Sequence, residues 1–355
     1  MISSSEANIR AGALRRAAHA LRLLAPLVVL ALSAPTFAAI HVRGNALVGG
    51  AGRTVRLLGV NRSGAEYACI QGWGFMDGPT DAPSIAAIAA WNVNVVRLPL
   101  NEDCWLGING VDPRYGGAPY RHFVEAYVRR LHAARLAVIL DLHWNAPGSE
   151  PATGQQKMAD RSHAVAFWQS LARSFRRDGN VIFDVYNEPH DISWECWRDG
   201  CGPWVGMQTL VLAIRATGAR QPIMLGGLAW ANDLSQWLVW EPRDPLHQLV
   251  ASFHLYNFNA CANTACWDAT VAPVASEVPV VTGELGENDC AHDFIDSYMQ
   301  WADNAGVSYL GWTWDTWDCG SGPALISDYD GTPTAFGEGF KAHLELLANP
   351  AAPSP

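Results

Sequence analysis

The sequence switches repeatedly between two hydrophobic periodicities, and this alternation constrains the fold more than any other feature. Eight short apolar segments have the composition of strands, and they lie at 56–61, 93–98, 137–142, 181–185, 222–226, 249–254, 279–284 and 307–312. A segment with helical spacing follows each strand, at 83–91, 120–134, 162–175, 205–216, 234–240, 268–276, 292–304 and 336–347. Eight such units predict a single α/β domain, a closed (β/α)8 or TIM barrel. Ahead of them, the segment 40–55 predicts a short β-hairpin that caps the floor of the barrel.

The first 39 residues have the pattern of a secretory signal peptide. Four arginines between positions 10 and 22 precede an apolar run at 23–32, and small residues follow at 34–39. The run is short for a membrane-spanning helix, so cleavage near residue 39 is predicted, with an uncleaved anchor as the alternative. The protein would then be secreted, extracellular or periplasmic, with one domain at 40–348 and a flexible tail at 349–355.

The charge balance and the tryptophan content indicate the kind of partner. The net charge is −10, or −13 without residues 1–39, and no basic patch is visible. This argues against nucleic acid and suits a neutral polymer. All 16 tryptophans lie beyond residue 72, and exposed indole rings stack well on flat apolar faces such as those of sugars. We therefore expect a monomer that binds a polysaccharide, without a membrane partner after signal cleavage.

The eight cysteines all lie beyond residue 39, and an even count in an exported chain predicts disulfides. Near neighbours in loops suggest the pairs Cys196–Cys201 and Cys261–Cys266. Adjacent loops suggest Cys69–Cys104 and Cys290–Cys319. A zinc site is the alternative, but neither four-residue gap matches the usual C-x₂-C spacing, so no metal is predicted.

Two of the predicted strands end in a glutamate. The strand at 181–185 runs into Asn187, Glu188 and Pro189, and the strand at 279–284 ends in Glu284. Since the C-terminal ends of barrel strands share one rim, Glu188 and Glu284 would face each other across its mouth. A single strand-end glutamate is more often solvated or ion-paired. Two facing carboxyl groups are what glycoside hydrolysis requires.

Other predicted strands also end in polar or aromatic residues, which we expect to bind substrate at the same rim. They are Arg97, His143, Trp144, Asn187, His254, Tyr256, Trp312 and Trp314, and Trp230 follows the fifth strand. An arginine inside an apolar strand needs an anionic partner, so Arg97 would hold a nearby carboxylate ionised. A lone strand-end histidine is more often a satisfied hydrogen-bonding residue, and Trp312 could belong to the core. Because six predicted strand ends carry a polar or aromatic residue or a glutamate, a shared active site at the rim is favoured.

These strand ends resemble glycoside hydrolase family 5. The matching motifs are LLGVN (57–61), VVRLPL (95–100), DLHW (141–144), YNEP (186–189), HLY (254–256), GELG (283–286) and GWTW (311–314), in the family's order. The resemblance implies a retaining enzyme with Glu188 as acid/base and Glu284 as nucleophile. It implies a surrounding shell of Arg97, His143, Asn187, His254, Tyr256 and Trp312, with Trp314 as the alternative to Trp312. The charge of Glu284 and burial among aromatic side chains would raise the pKa of Glu188.

The resulting prediction is a secreted endo-β-1,4-glycanase, an endoglucanase (cellulase) that hydrolyses β-1,4-glucan by double displacement. The alternative substrates are mannan, xyloglucan or another β-glycan, because gluco and manno sugars differ in the orientation of one hydroxyl. A non-catalytic carbohydrate-binding barrel is a rival class, but both glutamates are present. A metal-dependent hydrolase would need clustered His and Asp ligands at H-x-H or comparable spacing, and the sequence shows none. No cofactor is predicted.

Overall fold

The structure, a computed structural model, describes residues 39–349. The predicted signal peptide, except for Ala39, and the predicted tail, except for Asn349, lie outside the described residues. Eight parallel strands close into a barrel and are numbered in chain order: β1 Leu58–Asn61, β2 Val95–Asn101, β3 Ala137–Trp144, β4 Val181–Asp184, β5 Ile223–Gly226, β6 Leu249–Tyr256, β7 Val280–Gly286 and β8 Ser308–Gly311. Since β8 pairs with β1, the predicted (β/α)8 barrel is confirmed.

The predicted hairpin is present ahead of β1. His41–Arg43 pairs antiparallel with Ala46–Val48, and Gly44 in the turn has a φ of 60°, which glycine adopts without strain. Ile40 and Leu47 are buried together with the side chains that fill the lower part of the barrel interior. The hairpin therefore closes the barrel at the end opposite the C-terminal ends of its strands.

The helices lie outside the barrel strands in sequence order, and their positions agree broadly with the predicted segments. Those described are Ala82–Ala89, Glu102–Leu106, Ala118–Ala133, Ala164–Phe175, Trp194–Asp199, Met207–Arg215, Thr264–Cys266, Ala272–Ala275, Asp293–Ala305 and Ala335–Ala348, with a π-helical turn Trp267–Val271 and a 3₁₀ turn Gly50–Gly52. Leu228–Ala231 is a turn in which Ala229, Trp230 and Ala231 have left-handed backbone angles. Two short strands, Gly200–Cys201 and Trp204–Val205, form a second hairpin. Among the described residues, no helix has the length and apolarity to cross a membrane.

The connection between β5 and β6 differs from the prediction. A helix was expected at 234–240, but this segment forms turns. The amide of Ser235 donates a hydrogen bond to Oδ1 of Asp233. Such a local hydrogen bond to a side chain competes with the backbone hydrogen bonds of a helix. Trp237 is buried, and its Nε1 donates to the main-chain oxygen of Leu225 at 3.0 Å. The apolar residues of this segment, Leu234 and Trp237 among them, are therefore buried from a series of turns and not from a helix.

All eight cysteines are paired, and all four predicted disulfides are confirmed: Cys69–Cys104, Cys196–Cys201, Cys261–Cys266 and Cys290–Cys319. Each bond lies in the segments that follow the C-terminal ends of barrel strands. Two of them join the segments after neighbouring strands, β1 to β2 and β7 to β8. The covalent links are therefore concentrated at one end of the barrel.

Candidate active site

Glu188 follows β4 on a segment that is anchored by buried neighbours. The amide of Asn187 donates to the main-chain oxygen of Leu142 at 3.1 Å, which holds the end of β4 against β3. Tyr186 is fully buried, and its hydroxyl donates to the main-chain oxygen of Gln156 at 2.6 Å. Pro189 then ends the possibility of further strand pairing. The Glu188 side chain, 16% exposed, is left at the C-terminal mouth of the barrel.

Glu284 is directed into the barrel by a bulge in β7. Thr282 faces the outer helices, since its hydroxyl is hydrogen-bonded to that of Tyr298. Strict alternation would make Glu284 face outward as well. However, the register places Thr282 opposite Phe253 and Glu284 opposite His254, so Gly283 is an extra residue in the strand. A side chain at Gly283 would approach the Nε2 of His254 to 2.9 Å, which explains why this position needs glycine.

Arg97 on β2 is the electrostatic centre of the barrel interior. It is fully buried, and its guanidinium contacts three carboxyl groups: Asp141 at 3.1 Å, Asp184 at 2.9 Å and Glu284 at 2.9 Å. Burial lowers the pKa of Arg97, but the three acidic neighbours outweigh burial and raise it, so the group stays a cation. The predicted anionic partner of this arginine thus includes one of the two glutamates.

The immediate partners of Glu284 hold it from two sides. Arg97 Nη1 donates to Oε1 at 2.9 Å, and the hydroxyl of Tyr256 donates to Oε2 at 2.5 Å. Burial and the nearby carboxylates raise the pKa of Tyr256 well above its usual value, so the phenol keeps the proton that it donates. A carboxylate fixed by a cation and a hydroxyl in this way has a defined orientation, as a nucleophile requires.

His254 lies between the two glutamates. Its Nδ1 is 3.0 Å from Oε1 of Glu188 and 3.7 Å from Oε1 of Glu284. Burial, helped by the charge of Arg97, lowers the pKa of His254 to about 4. The imidazole is therefore neutral in the mildly acidic to neutral range, where it separates the two carboxyl groups without adding charge.

The two glutamates approach each other closely. An oxygen of Glu188 and an oxygen of Glu284 lie within 4.8 Å of each other. This fits the retaining arrangement, with carboxyl groups about 5–5.5 Å apart, better than the roughly 6.5–9.5 Å of inverting enzymes, which leave room for a water. Burial is the main cause that raises the pKa of Glu188, against the opposing charges of His143 and Arg97. One carboxyl group is thus suited to carry a proton while the other is held by a cation.

His143 and Trp312 form one wall of the cleft. His143 lies at a second bulge, in β3. On the neighbouring strand Leu100 pairs with Leu142 and the next residue, Asn101, pairs with Trp144, so His143 is the extra residue between them. Its ring stacks on Trp312, with centroids 5.5 Å apart and planes 9° from parallel. Burial lowers the pKa of His143, but a 2.7 Å contact with Asp141 and the charges of other carboxylates outweigh this and raise it.

Together these groups line a cleft of about 470 Å³ at the C-terminal mouth of the barrel. Its lining consists of His143, Gln155, Asn187, Glu188, Trp230, Tyr256, Phe258, Asn259, Glu284 and Trp312. Arg97 and His254 lie beneath the lining as partners of the glutamates. Gln155, Phe258 and Asn259 were not predicted from the sequence, because they lie in loops without a motif. The one signal in the sequence was an aromatic residue two positions beyond the HLY motif, Phe258.

Two sequence-predicted residues lie elsewhere. Trp314 is fully buried and packs edge-on against Trp91, with centroids 4.9 Å apart. The prediction that Trp314 contacts substrate is therefore wrong, because Trp312 takes the place at the cleft. Trp144 is half-buried beside Tyr67, at 6.2 Å between ring centroids, and is outside the set that lines the cleft.

A comparison with known protein families identifies the family of the chain. The family model described as Cellulase (glycosyl hydrolase family 5) matches residues 49–318. The chain belongs to glycosyl hydrolase family 5. A mannan endo-1,4-beta-mannosidase from Streptomyces lividans is 25% identical over 78% of this chain and 66% of its own length. A manganese-dependent endoglucanase from Phanerodontia chrysosporium is 28% identical over 51% of this chain and 46% of its own. The chain thus spans about half to two thirds of these curated relatives.

Solved structures support the fold of the family 5 chain. A β-glucanase from Saccharophagus degradans, crystallised with cellotetraose, superimposes with a TM-score of 0.71 at 20% identity. The match covers 88% of this chain and 94% of that one. At this identity the likeness establishes the barrel architecture alone.

In the described part of this family 5 chain, Glu188, His254 and Glu284 are also the group with suitable spacing for a metal ion. Oε1 of Glu284 is already bonded by the guanidinium of Arg97, so a cation at this place would compete with the arginine. Electrostatic repulsion between the two cations opposes such a site. Arg97 therefore disfavours a metal ion at this position.

Proposed function

We propose that the protein is a secreted, retaining endo-β-1,4-glycanase that acts on β-1,4-glucan, with Glu284 as nucleophile and Glu188 as acid/base. The observation that carries this proposal is the pair of closely spaced glutamates in different environments. Membership of glycosyl hydrolase family 5 supports the reaction class. Four disulfides at the catalytic end support an exported enzyme, because such bonds persist in oxidising compartments.

The proposed reaction has two balanced steps. In the first, Glu284 forms a bond to the anomeric carbon while the glycosidic bond breaks, and the proton of Glu188 passes to the departing oxygen. In the second, water attacks the anomeric carbon, the bond to Glu284 breaks, and Glu188 takes the proton of the water. Glu188 thus ends protonated again. Its raised pKa favours the protonated form that the first step consumes.

Trp312 and Trp230 provide the flat surfaces of the proposed sugar sites. Trp312 stacks on His143 beside the glutamates and would form the floor under the sugar next to the cleaved bond. Trp230 is 48% exposed and stacks on His190 at 4.5 Å between centroids, near the segment that carries Glu188. Exposed aromatic faces of this kind suit the apolar faces of pyranose rings.

Mannan is the second candidate substrate, since a Streptomyces lividans relative is named a mannan endo-1,4-beta-mannosidase. Reducing-end release from carboxymethyl cellulose, mannan, xyloglucan and mixed-linkage glucan, measured side by side, separates the candidates. We expect the largest rates on the cellulose derivative and the mixed-linkage glucan. Release from mannan alone would reject the glucanase assignment but keep the glycosidase mechanism, whereas Glu284→Ala with full activity would reject the mechanism itself.

A further inference from the structure

Gln155, on the loop after β3, contacts both residues that follow β4 in the site. Its Oε1 accepts a hydrogen bond from Asn187 Nδ2 at 2.8 Å. Its Nε2 donates to the main-chain oxygen of Glu188 at 2.9 Å. One carboxamide therefore bridges the side chain of one residue and the backbone of the next, and it does so at the surface of the cleft.

The partners of Asn187 define how its amide is turned. Arg97 Nη2 donates to Asn187 Oδ1 at 2.7 Å, so Oδ1 faces the arginine and Nδ2 lies on the other side. An amide nitrogen carries two hydrogens, and Gln155 accepts one of them. Within residues 39–349 the second hydrogen has no protein partner, and Asn187 lines the cleft, so a ligand could accept it. A hydrogen bond to the sugar 2-hydroxyl at this point would strengthen in the transition state.

The loop that carries Gln155 is fixed on both sides of it. Asn145 Nδ2 donates to Asp160 Oδ2 at 3.2 Å, and both residues are fully buried. The amide of Gln156 donates to the hydroxyl of Tyr186 at 3.1 Å, and that hydroxyl donates back to the Gln156 oxygen. These contacts fix the loop backbone on both sides of Gln155, so the position of Gln155 at the cleft is defined by the fold.

We propose that Gln155 is a positioning residue of the active site, which holds the Asn187 amide so that its second N–H meets the 2-hydroxyl of the sugar at the cleaved bond. This role rests on the proposed glycosidase function. Gln155 reaches the sugar through Asn187, so its loss should weaken transition-state binding more for substrates that have the 2-hydroxyl than for substrates that lack it. Its contact with Glu188 adds a loss that is common to both kinds of substrate. A merely structural residue would affect all substrates alike.

The test uses Gln155→Leu with Gln156→Leu as the matched control. Gln156 is the next residue of the same loop, and the contacts that fix it to Tyr186 are made by its backbone. The substrates are an aryl β-cello-oligosaccharide and its analogue lacking the 2-hydroxyl on the sugar that bears the aryl group. For Gln155→Leu we expect the fall in kcat/KM to be about ten-fold larger on the parent than on the 2-deoxy analogue, where only the loss of the contact with Glu188 remains. Gln156→Leu should match the wild type on both substrates.

A double-mutant cycle gives the second measurement. In an Asn187→Ala background, Gln155→Leu should cause a clearly smaller loss on the parent substrate than it does in the wild type, because the contact with Asn187 is already gone and only the contact with Glu188 remains. Equal losses on both substrates, additive losses in the cycle, or a Gln155→Leu enzyme as active as Gln156→Leu would each overturn the positioning role while leaving the proposed function intact. A wild-type protein inactive on every β-glycan and aryl glycoside would overturn the proposed function, and this role with it.

Discussion

Asp184 on β4 offers a quantitative test of the charge balance beneath the cleft. It is fully buried, and only its Oδ2 is bonded, to Arg97 Nε at 2.9 Å. Its neighbour across the strands is Asp141, and in the described residues Oδ1 of each aspartate has no hydrogen-bond partner. Burial, together with the charges of Asp141 and Glu284, raises the pKa of Asp184 to about 8 in spite of Arg97. The folded protein therefore carries a proton here at neutral pH.

The substitution Asp184→Asn replaces this protonated carboxyl by a neutral group of the same shape that cannot titrate. In the wild type, the stability that comes from the raised pKa is fully present below the unfolded pKa of about 3.9. It is lost as the pH rises towards the folded value of about 8. One proton corresponds to about 1.4 kcal/mol per pH unit. Relative to the wild type, the free energy of unfolding of Asp184→Asn should thus rise by roughly 2.7 kcal/mol between pH 5 and pH 7.

Urea unfolding of both proteins at pH 5, 6 and 7, with the disulfides intact, measures this difference. Asp330→Asn makes the same change at an exposed carboxyl and should leave the pH slope as in the wild type. A difference between Asp184→Asn and the wild type that does not change with pH would mean that Asp184 is ionised in the folded state. Our account of the proton beneath Arg97 would then be refuted.

Further predictions concern catalysis and the cleft. With an aryl glycoside that has a good leaving group, Glu188→Ala should accumulate the glycosyl-enzyme, and azide should release a β-azide. Glu284→Ala with azide should give the α-azide, and proton NMR distinguishes the two products; the opposite stereochemistry would exchange the two roles. Because its raised pKa keeps Glu188 protonated, the kcat/KM of the wild type should fall at high pH as Glu188 ionises, and an alkaline limb at the usual carboxyl pKa would contradict this. Trp230→Ala should raise KM about three- to ten-fold with kcat little changed, whereas Trp230→Phe should lose less; an unchanged KM would remove Trp230 from the binding surface.

The barrel could be predicted from the sequence, because apolar strands and the residues at their ends are visible in short stretches of the chain. It could not separate Trp312 from Trp314, since residues two apart lie on one face of a strand. β8 in fact ends at Gly311, and beyond it the alternation no longer applies. Gln155 could not be predicted either, because its partners, Asn187 and Glu188, are more than thirty positions away and only the folded loop brings them together.

The direction of the Glu284 side chain is a second feature that the sequence pattern could not predict. The motif GELG placed a glutamate at the end of β7, but alternation counted from Thr282 would turn it towards the helices. The bulge adds Gly283 as an extra residue to the strand, so the Glu284 side chain points into the barrel. A glycine within a strand is a known sign of a bulge, although the pattern alone does not say which face the next side chain takes.

The uneven placement of the disulfides means that the two ends of the barrel depend on different chemistry. The hairpin end is closed by buried apolar side chains, whose contribution weakens in denaturant but is indifferent to reductant. The opposite end, with the cleft, carries all four covalent links. In a reducing compartment the segments around the cleft would therefore lose their covalent links, whereas the apolar contacts at the hairpin end would remain. For production in the cytosol of a host cell, stabilising substitutions that replace the disulfides belong in the segments after β1, β2, β4, β6, β7 and β8.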